Sequence, residues 1–371
     1  MRYLASILFI FAVAIAALDV LQSDITQNPG TSSPSPVTTT LSSDGQKETP
    51  LPPKQVSIGS IQSERERTVT SLAKTLGGSY DLSEILRSKR ELEEYLKMYP
   101  ALALQLADVI LDPTTKPRAQ LALIHSLSVV GGPQAEQILI QFANSKTDSD
   151  QMRLQAITSI AELRSPSDDV INTLWRISED DAVTNQQISE SALLNLGIAA
   201  LTVATTRTDT SHQIISRLAT LTKEARKQHS SSFQILLESL ANSGSIEVLP
   251  IAQELLQNSQ PETRALGVSA MRLLPGDEIE NQILSVAEAD DSAVVRSAAL
   301  EALHTRQPTK KVISRLSTLL FEEEDNETRK KIITYLGERA YKYPESKKKL
   351  RELLSAESDQ ENYALAVRFL Y

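Results

Sequence analysis

One phrase recurs along most of this chain and constrains its fold more than any other feature. "MRLQAITSIAELRSPSDDVINTLWRIS" (152–178), "TRALGVSAMRLLPGDEIENQILSVAE" (263–288), "VRSAALEALHTRQPTKKVISRLSTLL" (295–320) and "TRKKIITYLGERAYKYPESKKKLRELL" (328–354) have the same construction. Each has an apolar helical stripe, a turn bearing Pro or Gly, and a second stripe that runs into an acidic or Asn/Ser-rich loop. Apolar anchors late in the first stripe fall at Leu127, Ile160, Leu196, Leu240, Met271, Leu303, Leu336 and Leu370, spaced by 33, 36, 44, 31, 32, 33 and 34 residues. A period in this range belongs to helical-pair repeats. A single hairpin cannot bury both of its stripes, whereas stacked hairpins share a continuous core. The expected fold is therefore all-α, a right-handed α-α superhelix of about seven to eight helical pairs. Composition agrees: aromatics make up 4% of residues and there are 12 glycines, little for a strand-rich fold.

The repeats resemble HEAT repeats, the armadillo-type helical pairs, over roughly residues 115–371. The resemblance rests on D-x-x-x-x-R-x-x-A-x-x-A/S-L in the first helix and on the Pro-bearing turn. Asp291, Arg296, Ala299 and Leu303 carry it in one copy, and Arg153, Arg264 and Arg329 stand in the equivalent place in others. The recurring Arg is expected to pair between neighbouring hairpins as a ladder. Asp148, Asp181 and Asp291 are expected to be helix N-caps. Residues 81–112 are expected to form a divergent pair that caps the N-terminal end. The stretch 189–218 breaks the rhythm with a longer first helix and a Thr-rich loop. It resembles the helical domain of vitellogenin-type lipid-transfer proteins, and its 205–213 loop is a candidate contact surface.

Residues 1–21 read as a signal peptide or an N-terminal membrane anchor. One Arg precedes a run from Leu4 to Leu18 that Ser6 alone interrupts, and Ala14-Ile15-Ala16 offers small residues for cleavage. Residues 22–60, rich in Ser, Thr and Pro, read as a disordered linker reaching roughly 100 Å at most. The solenoid would occupy 61–371. The expected location is exported, periplasmic or extracellular, with residues 4–21 as the anchor if they are retained.

Little points to chemistry. There is no cysteine, and the four histidines, His125, His212, His229 and His304, lie in different repeats without metal-ligand spacing. No HExxH, CxxC, Gly-rich phosphate loop or GxSxG elbow occurs. Carboxylates gather at Glu179–Asp181, Glu288–Asp291 and Glu322–Asp325, always in the same inter-repeat loop, and read as solvated loop edges. Basic islands lie at 225–230, 329–331 and 346–351, the last two with Tyr335, Tyr341 and Tyr343 near. Asn326-Glu327-Thr328 is a glycosylation sequon by pattern. A net charge of −9 argues against nucleic acid as a partner.

These features favour a non-catalytic, exported protein–protein interaction scaffold without a cofactor. The alternative is a lipid or hydrophobic-ligand binding protein of the cell envelope, with Trp175, Phe233 and Phe321 as the side chains to inspect. The repeats also bear a likeness to helical-repeat bilin lyases. The export signal and the lack of a convergent polar cluster weigh against that reading.

Overall fold

A computed structural model of the protein describes residues 58–78, 82–145, 149–180 and 185–371. The apolar segment 1–21, the linker as far as residue 57, Asp148 and Asp181 lie outside the described residues. Among the described residues there are eighteen α-helices, two short 3-10 turns and no strand. No helix among them is long and apolar enough to cross a membrane. The chain forms two compact units, one ending at Gln141 and the other spanning Phe142–Tyr371.

The first described helix begins two residues before the expected end of the linker at residue 60. Helix α1 (Ile58–Gly78) buries Val69, Ala73 and Leu76 on one face. It packs on α2 (Leu82–Met98), α3 (Gln105–Leu111) and α4 (Pro117–Val130). Residues 81–112 are thus not a simple helical pair. Pro100 lacks the N–H needed to continue α2, so a 3-10 turn at Pro100–Leu104 separates α2 from α3. Ser126 on α4 donates to Glu93 on α2 at 3.0 Å, and Gln120 caps the Ile110 carbonyl at 2.8 Å. Helix α5 spans Gly132–Asn144.

The second unit is an α-solenoid of two rows. The first row holds α6 (Asp150–Ala161), α8 (Gln186–Val203), α10 (Phe233–Asn242), α12 (Pro261–Ala270), α14 (Ala293–His304), α16 (Asn326–Glu338) and α18 (Gln360–Leu370), each packed on the next. The second row holds α7 (Asp168–Ser178), α9 (Thr208–Lys227), α11 (Leu249–Leu256), α13 (Asp277–Ala289), α15 (Lys310–Glu322) and α17 (Pro344–Leu353). The apolar anchors Ile160, Leu196, Leu240, Met271, Leu303, Leu336 and Leu370 are all buried in the first row. Full burial of one such side chain contributes roughly 1.5–3 kcal/mol, so the stripe is the main source of cohesion.

Two glycines set the closeness of these rows. A Cβ on Gly197 of α8 would lie 1.9 Å from the Ser239 carbonyl oxygen of α10. A Cβ on Gly267 of α12 would lie 2.8 Å from the Ala252 carbonyl oxygen of α11. Any side chain at either position would push the neighbouring backbone away.

Polar side chains cap the start of six α-helices. Ser149, Ser167, Asn185, Thr309, Asp325 and Asp359 are N-caps that accept backbone N–H bonds from the first turn. Asp291 is not one of them: the N-cap of α14 is Ser292, and Asp291 lies one residue outside. The 205–213 stretch also differs from expectation. Only 204–207 is a turn, and Thr208 already begins the twenty-residue α9.

Candidate functional site

Three of the recurring arginines form one ladder at the N-terminal ends of the first-row helices. Arg264, Arg296 and Arg329 each occupy the fourth position of α12, α14 and α16, and each reaches a carboxylate 26, 27 or 28 residues ahead. Arg264 grips Asp290 with two bonds of 2.8 Å. Arg296 grips Glu323 at 2.8 and 2.6 Å. Arg329 reaches Glu357 at 3.4 Å. The same guanidinium also holds the loop before its own helix. Arg264 donates to the Asn258 and Ser259 carbonyls, Arg296 to those of Asp290 and Asp291, and Arg329 to that of Glu323. Each arginine therefore ties two successive inter-repeat loops together.

The carboxylates are set by a second rule. Asp290, Glu323 and Glu357 each lie two residues before an N-cap and accept that residue's N–H at 2.9 Å. Pairing with Arg264 is the main reason that the Asp290 carboxyl sits below the ordinary range. Burial pushes Glu323 up, but Arg296 and the Asp325 N–H outweigh it and leave the group depressed. Asp291 supplies a carbonyl, not its carboxylate. Among the described residues, Arg153 on α6 lies 3.9 Å from Asp150 of its own helix.

A second arginine ladder was not foreseen from the sequence. It runs at the opposite ends of the first-row helices and reaches backward to the preceding hairpin. Arg207 donates to the Pro166 carbonyl at 2.6 Å and pairs with Asp168. Arg272 binds the Asn242 side chain, Arg306 the Arg272, Leu274 and Gly276 carbonyls, and Arg339 the His304 carbonyl. Arg272 is buried, and burial pushes its guanidinium down to about 10 against the pull of Glu238. The available signal was an Arg within three residues after the anchors Met271, Leu303 and Leu336.

Among the described residues, the acidic loop clusters are bound to arginines and backbone and form no group that could hold a metal ion. Glu179 pairs with Arg217, Glu288 with Arg315, Asp290 with Arg264, and Glu323 with Arg296, while Asp325 caps α16. The island at 329–331 is likewise used internally, since Lys330 pairs with Glu327 and Glu361, and Lys331 with Glu301. Tyr335 is a core residue beneath Arg339, whose guanidinium lies 3.9 Å from the ring centre, and Tyr343 donates to the Pro308 carbonyl at 2.6 Å. Tyr341 stays 89% exposed. Thr328 of the sequon is buried and bonded to Asp325, so this tripeptide serves the first turn of α16. Trp175 is buried under Arg217, and Phe321 is partly exposed beside Lys349.

The island at 225–230 behaves differently. It forms one wall of a cleft of about 900 Å³ between the end of α9, the start of α10, and α11. Lys223, Arg226, Lys227 and His229 face Phe233, Pro250, Ile251 and Leu255 across it. Arg226 bridges the cleft to Glu254 at 2.5 Å. His229 holds a left-handed backbone, φ 52°, where α9 ends, and Ser230 N–H reaches back to the Ala225 carbonyl at 2.8 Å. This is the helix-ending turn that glycine usually makes.

Residues 279–370 match a family described as HEAT repeats. No curated protein matches the chain. Similar solved structures include human deoxyhypusine hydroxylase in complex with glycerol, at 14% identity and TM-score 0.30, covering 83% of this chain and 98% of that one. The complex of CpcE and CpcF of phycocyanin lyase from Nostoc is similar at 14% identity and TM-score 0.39, over 73% of this chain and 93% of that one. The YibA protein of Escherichia coli is similar at 16% identity and TM-score 0.38, over 76% of this chain and 96% of that one. The vitellogenin likeness of 189–218 finds no support among these. The match to HEAT repeats covers residues 279–370, and the helices before them in the second unit continue the same two-row α-solenoid.

Proposed function

We propose that the chain is a non-catalytic interaction scaffold that binds protein partners along the solenoid of its second unit. The observation that carries this reading is the internal pairing of its charged groups. Arginines and carboxylates that would otherwise be candidates for chemistry are bound to each other or to backbone carbonyls, from Arg264–Asp290 to Arg329–Glu357. A helical-repeat array with its polar groups committed in this way offers extended surface as its main functional asset. Export, to a periplasmic or extracellular location, is the further part of the proposal. It rests on the apolar run Leu4–Leu18 and the Ser/Thr/Pro-rich stretch after it.

A second reading, binding at a lipid surface, draws on a different observation. Tyr341 is 89% exposed and Tyr371 93% exposed, and Lys349 lies 5.6 Å from the ring of the partly exposed Phe321. Aromatic and basic side chains of this kind suit anionic headgroups.

Crosslinking the tagged full-length protein in its own cells separates the two, with proteins and lipids both read by mass spectrometry. The scaffold predicts one or two stoichiometric protein partners without lipid enrichment. Reproducible lipid with no protein partner would overturn it. Fractionating the same cells tests export, and a purely cytosolic protein carrying an intact N-terminus would contradict it.

A further inference from the structure

We infer that the cleft between α9, α10 and α11 is the seat for an acidic peptide segment that also carries a bulky apolar side chain. The inference rests on the scaffold reading and names the chemistry of a partner. The cleft lies where the second row is loosely packed. In the first row, Gly197 brings α8 against the Ser239 carbonyl of α10. In the second row, the twenty-residue α9 is followed by the eight-residue α11, and the two do not pack as α15 and α17 do. The concavity opens beside the close contact of α8 and α10.

Its lining is divided by chemistry. Lys223, Arg226 and Lys227 are three and four residues apart on α9 and so share one face. His229 adds a fourth nitrogen base. Against these stands one carboxylate, Glu254, which Arg226 engages. Among the described residues, Lys223 and Lys227 make no ion pair. The other wall is apolar, formed by Phe233, Pro250, Ile251 and Leu255. Such a wall has no use for inorganic phosphate alone, but it accommodates a Phe, Leu or Ile side chain beside the anionic group.

Size and field favour a peptide over other anionic partners. A volume of about 900 Å³ holds a few side chains in a concave site, whereas a bilayer needs a convex or flat surface. The chain as a whole carries a net charge of −9, which opposes a long polyanion such as nucleic acid. A short acidic segment senses mainly the charges within about 8 Å. The Arg226–Glu254 pair adds a competitor: the ligand's carboxylate displaces Glu254 from Arg226 on entry.

The test is selection of random ten-residue peptides displayed on phage against the full chain, followed by fluorescence anisotropy of the enriched peptides. Three variants are compared. The expected pool is rich in Asp and Glu with at least one aromatic or aliphatic residue, and its binding weakens with salt. The double variant Lys223→Glu/Lys227→Glu should lose about ten-fold or more in affinity. Glu254→Gln should bind the same peptides a few-fold more tightly, because Arg226 is released. Lys348→Glu/Lys349→Glu should leave binding unchanged. Lys223, Lys227, Lys348 and Glu254 all lie at the surface, and circular dichroism verifies that each variant is folded. Peptides without acidic residues, or ones that bind the double variant as well as the wild type, would overturn the cleft and leave the scaffold reading standing. Failure to enrich any peptide would overturn the cleft too. So would binding of phosphatidylserine vesicles at this site in place of peptides. The in-cell crosslinking judges the scaffold reading separately.

Discussion

Two stretches of the second unit solve the same packing problem differently. From α12 to α17 both helical rows are continuous, with arginine–carboxylate pairs tying the repeats at the N-terminal ends of the first-row helices and arginine bonds to carbonyls or Asn242 at the other ends. From α8 to α11 only the first row is close-packed, and small residues hold it together. Gly197 lets the backbones touch, Ser239 donates to the Leu193 carbonyl at 2.5 Å, and Asn242 reaches the Leu194 carbonyl at 3.4 Å. The regular stretch gains rigidity from long side chains that reach forward and backward. The irregular stretch relies more on close backbone contact and short polar side chains, with Arg226–Glu254 spanning its cleft. The forward arginine ladder thus runs through the regular stretch, and the cleft lies in the irregular one.

The sharpest break in that contrast should come from the struts. Arg296→Ala would leave Glu323, whose side chain is 1% exposed, buried without its cation. Removing one partner of such a pair destabilises by about 3 kcal/mol, measurable by urea denaturation. Next comes the contact-built region. Gly197→Ala should lose about 2 kcal/mol, since α8 and α10 must separate to admit a methyl group. Its m-value should stay near that of the wild type, which distinguishes repacking from loss of a repeat.

Acid sharpens the comparison a step further. The Asp290, Glu323 and Asp325 carboxyls are all held below their ordinary values of 3.8, 4.5 and 3.8. A depressed folded-state pKa stabilises above the unfolded value and is lost as pH falls through the folded value. Stability should therefore be flat near neutrality and fall below about pH 4.5. Arg264→Ala should flatten this fall, while Gly197→Ala should leave its shape unchanged. Smaller effects come last. His229→Gly should stabilise by about 0.5–1 kcal/mol, because glycine adopts the left-handed turn after α9 without a Cβ penalty. Lys331→Ala, which removes an exposed staple to Glu301, should change stability by no more than about 0.5 kcal/mol.

Much of this fold is legible in the sequence because its core is periodic. The anchors from Ile160 to Leu370 announce the first-row helices, and all of them are buried. The break at 189–218 is legible as well, though not its nature. Thr and Asp at 208–210 suggest a loop, yet Ile214, Leu218 and Ala225 are buried beneath them and make the stretch a helix. The chemistry of the ladder is less legible. The acid that meets Arg296 is a Glu from the next loop, and a short-range motif highlights the adjacent Asp291 instead. The backward ladder is hidden for the same reason: Arg306 bonds carbonyls, which have no residue identity to match. The basic cleft needs two helices from different repeats, and the sequence displays only the wall at 225–230.

The most direct test of this account is a double-mutant cycle on Arg296 and Glu323, with Arg296→Ala, Glu323→Gln and the double variant measured for both stability and partner binding. The ladder as a structural strut predicts a coupling of about 2 kcal/mol or more in unfolding, with partner binding unchanged in every variant that remains folded. A coupling below about 0.5 kcal/mol, together with loss of the partner, would contradict it and make the recurring arginines a binding site.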